Sequence, residues 1–200
     1  MSETEAPRGY AKGRERREEI LAAANDVFAN QGFRGASLSS IAERVGLSEP
    51  GLLHHFRSKE ELLLEVLKLR HQHDDERVSR ATAGATRLPD ALLDLCRENA
   101  TTPGLVRLFT ILAAESVDAD HPAHDWFQEC YRLLRRKVVA QVTEAQSLGQ
   151  IPAELDAALL APQILAMYDG LQLQWLLDPG DVDMVEVFED YIARLRGPAG

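Results

Sequence analysis

Apolar residues recur along the chain at three- and four-residue intervals, and few segments alternate with period two, so the pattern predicts helices throughout and no placeable strand. Ile20, Ala24, Val27 and Phe28 share one face of a first helix from about Arg14 to Gln31, with Leu21 beside them and Gly32 as its stop. Ser37 is placed to cap a short helix carrying Leu38, Ile41, Ala42 and Val45 that ends at Gly46. Ser48 is placed to cap another, with Pro50 in its first turn and Leu52, Leu53 and Phe56 along it. Ser58-Lys59-Glu60-Glu61 has the spacing of a reciprocal cap, so a fourth helix is expected to begin near Lys59, run through Leu62, Leu63, Val66, Leu67 and Arg70, and fade among Asp74-Asp75-Glu76. Further helices are expected near 89–101, 103–118 and 122–148, the last closed by Gly149, with Pro89, Pro103 and Pro122 each where a helix can start. Another covers roughly 155–177, with Pro162 either kinking it or marking its true beginning, and a last one spans about 182–195.

The expected fold is all-α, with about nine helices. The polar stretch 1–13 reads as a flexible basic arm, 14–74 as an N-terminal unit and 75–200 as a second helical domain. Cys96 and Cys130 are too few for a disulfide framework and lack zinc or redox spacing, so they read as reduced core thiols. Met1 to Tyr10 holds no apolar run, and the most apolar uncharged stretch, Ala157 to Tyr168, has 12 residues, too short to span a bilayer. A soluble cytoplasmic protein without membrane contact is expected.

Residues 37–56 have the anatomy of a helix-turn-helix. Ile41, Ala42 and Val45 would pack its first helix, Leu47 and Leu52 would tie the second against it, and Gly46 would permit their close approach. In such a unit the second helix enters the DNA major groove. An ordinary helical hairpin in a bundle is the alternative that pattern alone leaves open.

The run from Glu18-Glu19-Ile20-Leu21 through Phe28, Gly32-Phe33, Ser37, Ile41-Ala42, Val45-Gly46-Leu47-Ser48, Gly51-Leu52, His55-Phe56 and Ser58-Lys59-Glu60 to Leu62-Leu63 resembles the tetracycline-repressor (TetR) family of transcriptional regulators. The resemblance implies a three-helix DNA-binding domain followed by a helical domain that binds a small effector and dimerises through its last two helices. It also implies a recognition helix from about Ser48 to His55, with Ser48, Glu49, Pro50, Gly51, Leu53, His54 and His55 on the contact face. Ser37 and Ser39 then stand where phosphate is bound, with Arg44 and Lys59 as further backbone contacts.

Each assignment has a physical counterpart. Hydroxyls and helix N-termini bind phosphate, Glu49 can accept from a cytosine amine, and Pro50 and Leu53 can touch a thymine methyl. Glu49 equally suits the helix dipole, and one of the two histidines is expected to pack, His54 being the more exposed. Leu53 stands where the family commonly has tyrosine and Ser39 where it often has a basic residue, removing two usual phosphate contacts. Arg8, Lys12, Arg14, Arg16 and Arg17 could replace that attraction, or belong to a solvated arm.

In the second domain, Phe109, Trp126, Phe127, Tyr131, Met167, Tyr168 and Trp175 fall on segments that the resemblance places around the effector. Cys96, Leu112 and Cys130 would join them, with Glu115, Asp169 and Gln172 as polar handles of a largely apolar pocket. The helix at 155–177 is apolar almost all round and needs cover on two sides. Leu165, Leu173, Leu176, Val187, Phe188 and Tyr191 are therefore expected at a dimer interface. His121, His124 and Asp125 are chemically sufficient for a partial metal site, but Pro122 explains the segment as a helix start with Asp120 or His121 as cap, and no metal or other cofactor is expected. Catalysis has no motif.

The expected protein is a homodimeric regulator bound to a double-stranded, near-palindromic operator. It is expected to repress until an apolar or aromatic effector swings the fourth helix. A helical carrier or enzyme retaining the unit as scaffold, and an activator without effector, are the rivals. The net charge of -10 does not oppose this reading. Through Lys59 there are nine basic and eight acidic residues, whereas 60–200 hold thirteen and twenty-four, so the acidic excess lies outside the reading head.

Overall fold

The computed structural model describes residues 8–69 and 88–196. It is helical, with α1 (Arg8–Gly35), α2 (Leu38–Arg44), α3 (Glu49–His55), α4 (59–69), α5 (Leu88–Ala100), α6 (Pro103–Glu115), α7 (His124–Ser147), α8 (Ala157–Leu177) and α9 (Met184–Leu195). The fading of α4 among Asp74–Glu76 lies outside the described residues.

Local signals account for most boundaries. Gly32 (φ 69°, ψ 178°) interrupts α1 after Gln31, and Gly149 (φ 68°) follows α7. Ser58 Oγ accepts from Glu61 N at 3.2 Å, but Glu61 returns its carboxylate to Arg57 N at 2.7 Å, one residue before the reciprocal position. Asp156 caps α8 through Ala158 N at 2.8 Å, so the true beginning lies upstream of Pro162, which sits inside the helix.

Three boundaries differ from expectation. α1 begins at Arg8, so the expected arm is helical from there. α6 stops at Glu115. α7 starts at His124, with Ala123 at the N-cap position making no side-chain cap, because Pro122 lies in a turn and the His121 ring is occupied elsewhere.

The N-terminal helices close around Ile20, Ala24, Phe28, Ile41, Leu52, Phe56, Leu62, Leu63 and Leu67, all buried. That core does not end at the head. Leu108 and Leu112 from α6, with Ala123 and Phe127, belong to the same cluster, so α6 packs along α1 and joins head to body through continuous apolar contact. A second cluster lies between α7 and α8 around Val142, Ala161 and Ile164, and a third among α5, α8 and α9 around Cys96, Leu171, Met184 and Phe188. Among the described residues, no helix is long and apolar enough to cross a membrane.

Candidate DNA interface and body cavity

The helix-turn-helix is built by caps and a glycine. Ser37 Oγ accepts from Ser40 N and lies 3.1 Å from Ser39 Oγ, while Ser48 Oγ accepts from Gly51 N at 3.2 Å. Between them Leu47 N donates to Ala42 O at 2.9 Å and Gly46 N to Glu43 O at 3.1 Å. This paired closure needs a left-handed residue at its centre, supplied by Gly46 at φ 65°. Leu52 and Phe56 are wholly buried, which turns the opposite face of α3 outward. Ser48, Glu49, Pro50, Leu53 and His54 are exposed on it, as are Ser37 and Ser39 at the start of α2, while Gly51 and His55 are half-buried.

Several expected phosphate ligands have other work. Lys59 Nζ donates to Phe33 O at 2.8 Å and Ala36 O at 2.9 Å and lies 4.4 Å from the Phe33 ring centre. Two of its three donors thus close the segment after Gly32, because the α4 N-terminus points at the end of α1. Arg17 donates to His55 O at 2.8 Å, pairs with Glu65 at 3.1 Å and covers the Phe56 ring at 4.0 Å. Arg16 donates to Val45 O. These two α1 residues therefore fasten the helix-turn-helix instead of extending from an arm. The Glu65 carboxyl is held below its ordinary range by hydrogen bonds from Lys68 and Arg17. Arg44 lies 3.7 Å from Asp26 but remains half exposed.

A polar joint sits where α6 meets α1. Glu115 Oε2 accepts from Phe33 N at 2.7 Å, directly beside Gly32. Glu115 was expected in the effector pocket, but the last turn of α6 aims it at the head. His121 is buried, its ring packed edge-on to Phe33 at 5.1 Å. Its Nδ1 accepts from Ala123 N at 3.2 Å and from Ser116 Oγ at 2.9 Å, so the neutral ring carries its proton on Nε2. Among the described residues Nε2 has no hydrogen-bond partner, and it lies 3.8 Å from Glu115 Oε2. Burial lowers the His121 pKa. His124 Nδ1 meanwhile donates to Ser116 O at 2.9 Å, and Asp125 is exposed. The three residues considered as a partial metal site are thus not brought together.

A cavity of about 160 Å³ lies inside the body. Phe109, Trp126, Cys130, Tyr131, Tyr168, Asp169 and Gln172, all candidates for an effector pocket, line it. Leu112 and Phe127 face α1 instead, Cys96 and Trp175 belong to the α5–α8–α9 core, and Met167 borders a shallow outer groove. Leu165 and Phe188, expected at a dimer face, line the cavity, with Phe188 almost wholly buried. Leu173 and Val187 are exposed, Leu176 is half-buried, and Tyr191 faces the groove with its hydroxyl buried and, among the described residues, unpartnered. Leu95, Asn99, Leu134 and Gln141 also line the cavity, and nothing but the packing of α5 and α7 identifies them. Tyr131 Oη donates to Asp169 Oδ2 at 2.8 Å, and Asn99 Nδ2 donates to Tyr168 Oη. Burial pushes the Asp169 carboxyl above its ordinary range, partly offset by the Tyr131 hydrogen bond.

An exposed recognition face on a helix-turn-helix, carried by a cavity-bearing helical body, defines a DNA-binding regulator with a sensory domain. Residues 20–66 match the family model described as bacterial regulatory proteins, tetR family, and residues 84–197, over half of the chain, match the BetI-type transcriptional repressor C-terminal model. The chain belongs to the TetR family of bacterial transcriptional regulators. It is 27% identical over 189 residues to the regulator TtgR of Pseudomonas putida, covering 90% of each chain. Its fold matches a TetR regulator from Chloroflexus aurantiacus with TM-score 0.80 and 28% identity, covering 92% of this chain and 95% of the other. A regulator from Saccharomonospora viridis, solved in complex with choline, matches with TM-score 0.78 and 22% identity over 90% of this chain and 95% of its own.

Proposed function

We propose that this protein works in the bacterial cytoplasm as a homodimeric repressor that a small effector releases from a near-palindromic operator. The observation that carries the reading is the shape of α6. Phe109 on this helix lines the cavity, while Leu108, Leu112 and Glu115 hold α1 of the reading head. An effector that favours a different position of α6 therefore has a rigid path to the recognition helix. The head end of α4 remains a second lever, through Lys59. A choline complex of the Saccharomonospora neighbour supports ligand binding in a body of this fold.

Ser37, Ser39 and the N-terminus of α3 are the phosphate contacts of this reading, and Glu49, Pro50, Leu53 and His54 its base contacts. Arg44 adds attraction at the edge of the head. The outer faces of α8 and α9, with Leu159, Leu173, Leu177 and Val187 exposed, form the dimer contact, where a second copy covers them. Footprinting on the intergenic DNA beside the gene, with and without candidate effectors, tests the proposal. Two salt-sensitive protected half-sites about one helical turn apart are expected. No protection at low salt would refute it.

A further inference from the structure

We infer that the cavity is built for a small protonated arylalkylamine, with one aromatic ring among Phe109, Trp126 and Tyr168 and an ammonium group donating N–H to Asp169. This rests on the reading of the cavity as the effector site. Asp169 lines the cavity, where it is largely buried and accepts the Tyr131 hydroxyl at 2.8 Å. Lys137 also lines the wall and has an interaction of its own. A carboxylate offers about four acceptor sites, and the Tyr131 hydrogen bond uses one of them. An apolar enclosure makes a charge with so little compensation costly, so a ligand that brings both positive charge and N–H donors gains more there than in water.

Volume limits the rest of the molecule. A protein cavity of about 150 Å³ accepts a benzene ring, so the 160 Å³ here limits the ligand to one aromatic ring. A trimethylated arylalkylammonium supplies charge without N–H and leaves the remaining acceptor sites of Asp169 unsatisfied. The site is therefore expected to distinguish a primary amine from its trimethylated form.

The test uses the full chain with three probes, 2-phenylethylamine, its N,N,N-trimethyl derivative and 2-phenylethanol, measured by calorimetry. The amine is expected to bind about ten- to a hundred-fold tighter than the alcohol, the range of a charge-assisted hydrogen bond, and tighter than the trimethyl form. Asp169→Asn is expected to remove that advantage while the alcohol still binds, with a thermal melt confirming that the variant folds. Equal affinity for amine and alcohol, no binding of any probe, or an amine advantage that survives Asp169→Asn would overturn the amine assignment. Leu134→Trp, which fills the cavity, is expected to abolish binding of all three. Binding that persists in this variant would overturn the cavity reading itself.

Discussion

Gly32→Ala makes the sharpest demand on the joint between head and body. At φ 69° and ψ 178°, Gly32 lies in a region open essentially to glycine, where another residue costs about 1–3 kcal/mol in backbone strain. A Cβ placed there would also stand 2.4 Å from Glu115 Oε1, so the carboxylate must withdraw. Withdrawal breaks its hydrogen bond to Phe33 N, a charge-assisted interaction of about 1.5–3 kcal/mol. The single substitution is thus expected to cost about 2.5–6 kcal/mol. Glu115→Ala alone loses the hydrogen bond and leaves the backbone unstrained. In the double variant the Cβ no longer meets the carboxylate, so only strain adds to the loss already made. Urea unfolding of all four proteins should therefore give a double variant more stable than additivity predicts by about 1.5–3 kcal/mol. Strict additivity would refute the reasoning, because it would mean that Gly32 and Glu115 act independently.

Asp169→Asn keeps the acceptor for Tyr131 and removes the buried charge, so it is expected to raise the urea midpoint at neutral pH. The folded-state pKa is raised, so the wild-type penalty grows as pH rises from the unfolded carboxylate value toward the raised one; the gain should vanish near and below pH ~3.9. A gain independent of pH would contradict that origin. Lys59→Met keeps the stem over the Phe33 ring but loses the donors to Phe33 O and Ala36 O, and should cost about 1–3 kcal/mol in thermal or urea unfolding. Its operator salt slope should stay unchanged, whereas a drop of about one would place Lys59 on a phosphate. His54→Ala should weaken operator binding roughly ten-fold without changing stability, since the ring is exposed and outside the core, and mobility shift beside a thermal melt reads both. Unchanged operator affinity would remove His54 from the recognition surface.

What the chain determines by itself is mostly local. Ser37 and Ser48 cap their helices whatever lies beyond them, Gly46 is required by the closure it makes, and Gly32 and Gly149 turn the chain where the apolar period ends. The exposed face of α3 follows in turn, because burying Leu52 and Phe56 fixes the opposite side outward. Periodicity shows that a face is apolar without showing which neighbour it meets. Leu112 and Phe127 therefore looked equally suited to a pocket and went to the head's core, and Phe188 looked suited to a dimer face and went inside. The long polar side chains were harder still to place. Glu115, Lys59 and Arg17 reach across 82, 26 and 38 residues of sequence to backbone groups that only the packed fold brings near them. The Asp169–Tyr131 pair likewise depends on α7 and α8 lying side by side. The helix-turn-helix is legible because its caps and its glycine turn lie within about twenty residues of local sequence. The joint and the cavity were decided by tertiary structure, because which helix faces meet depends on the packing of the whole chain.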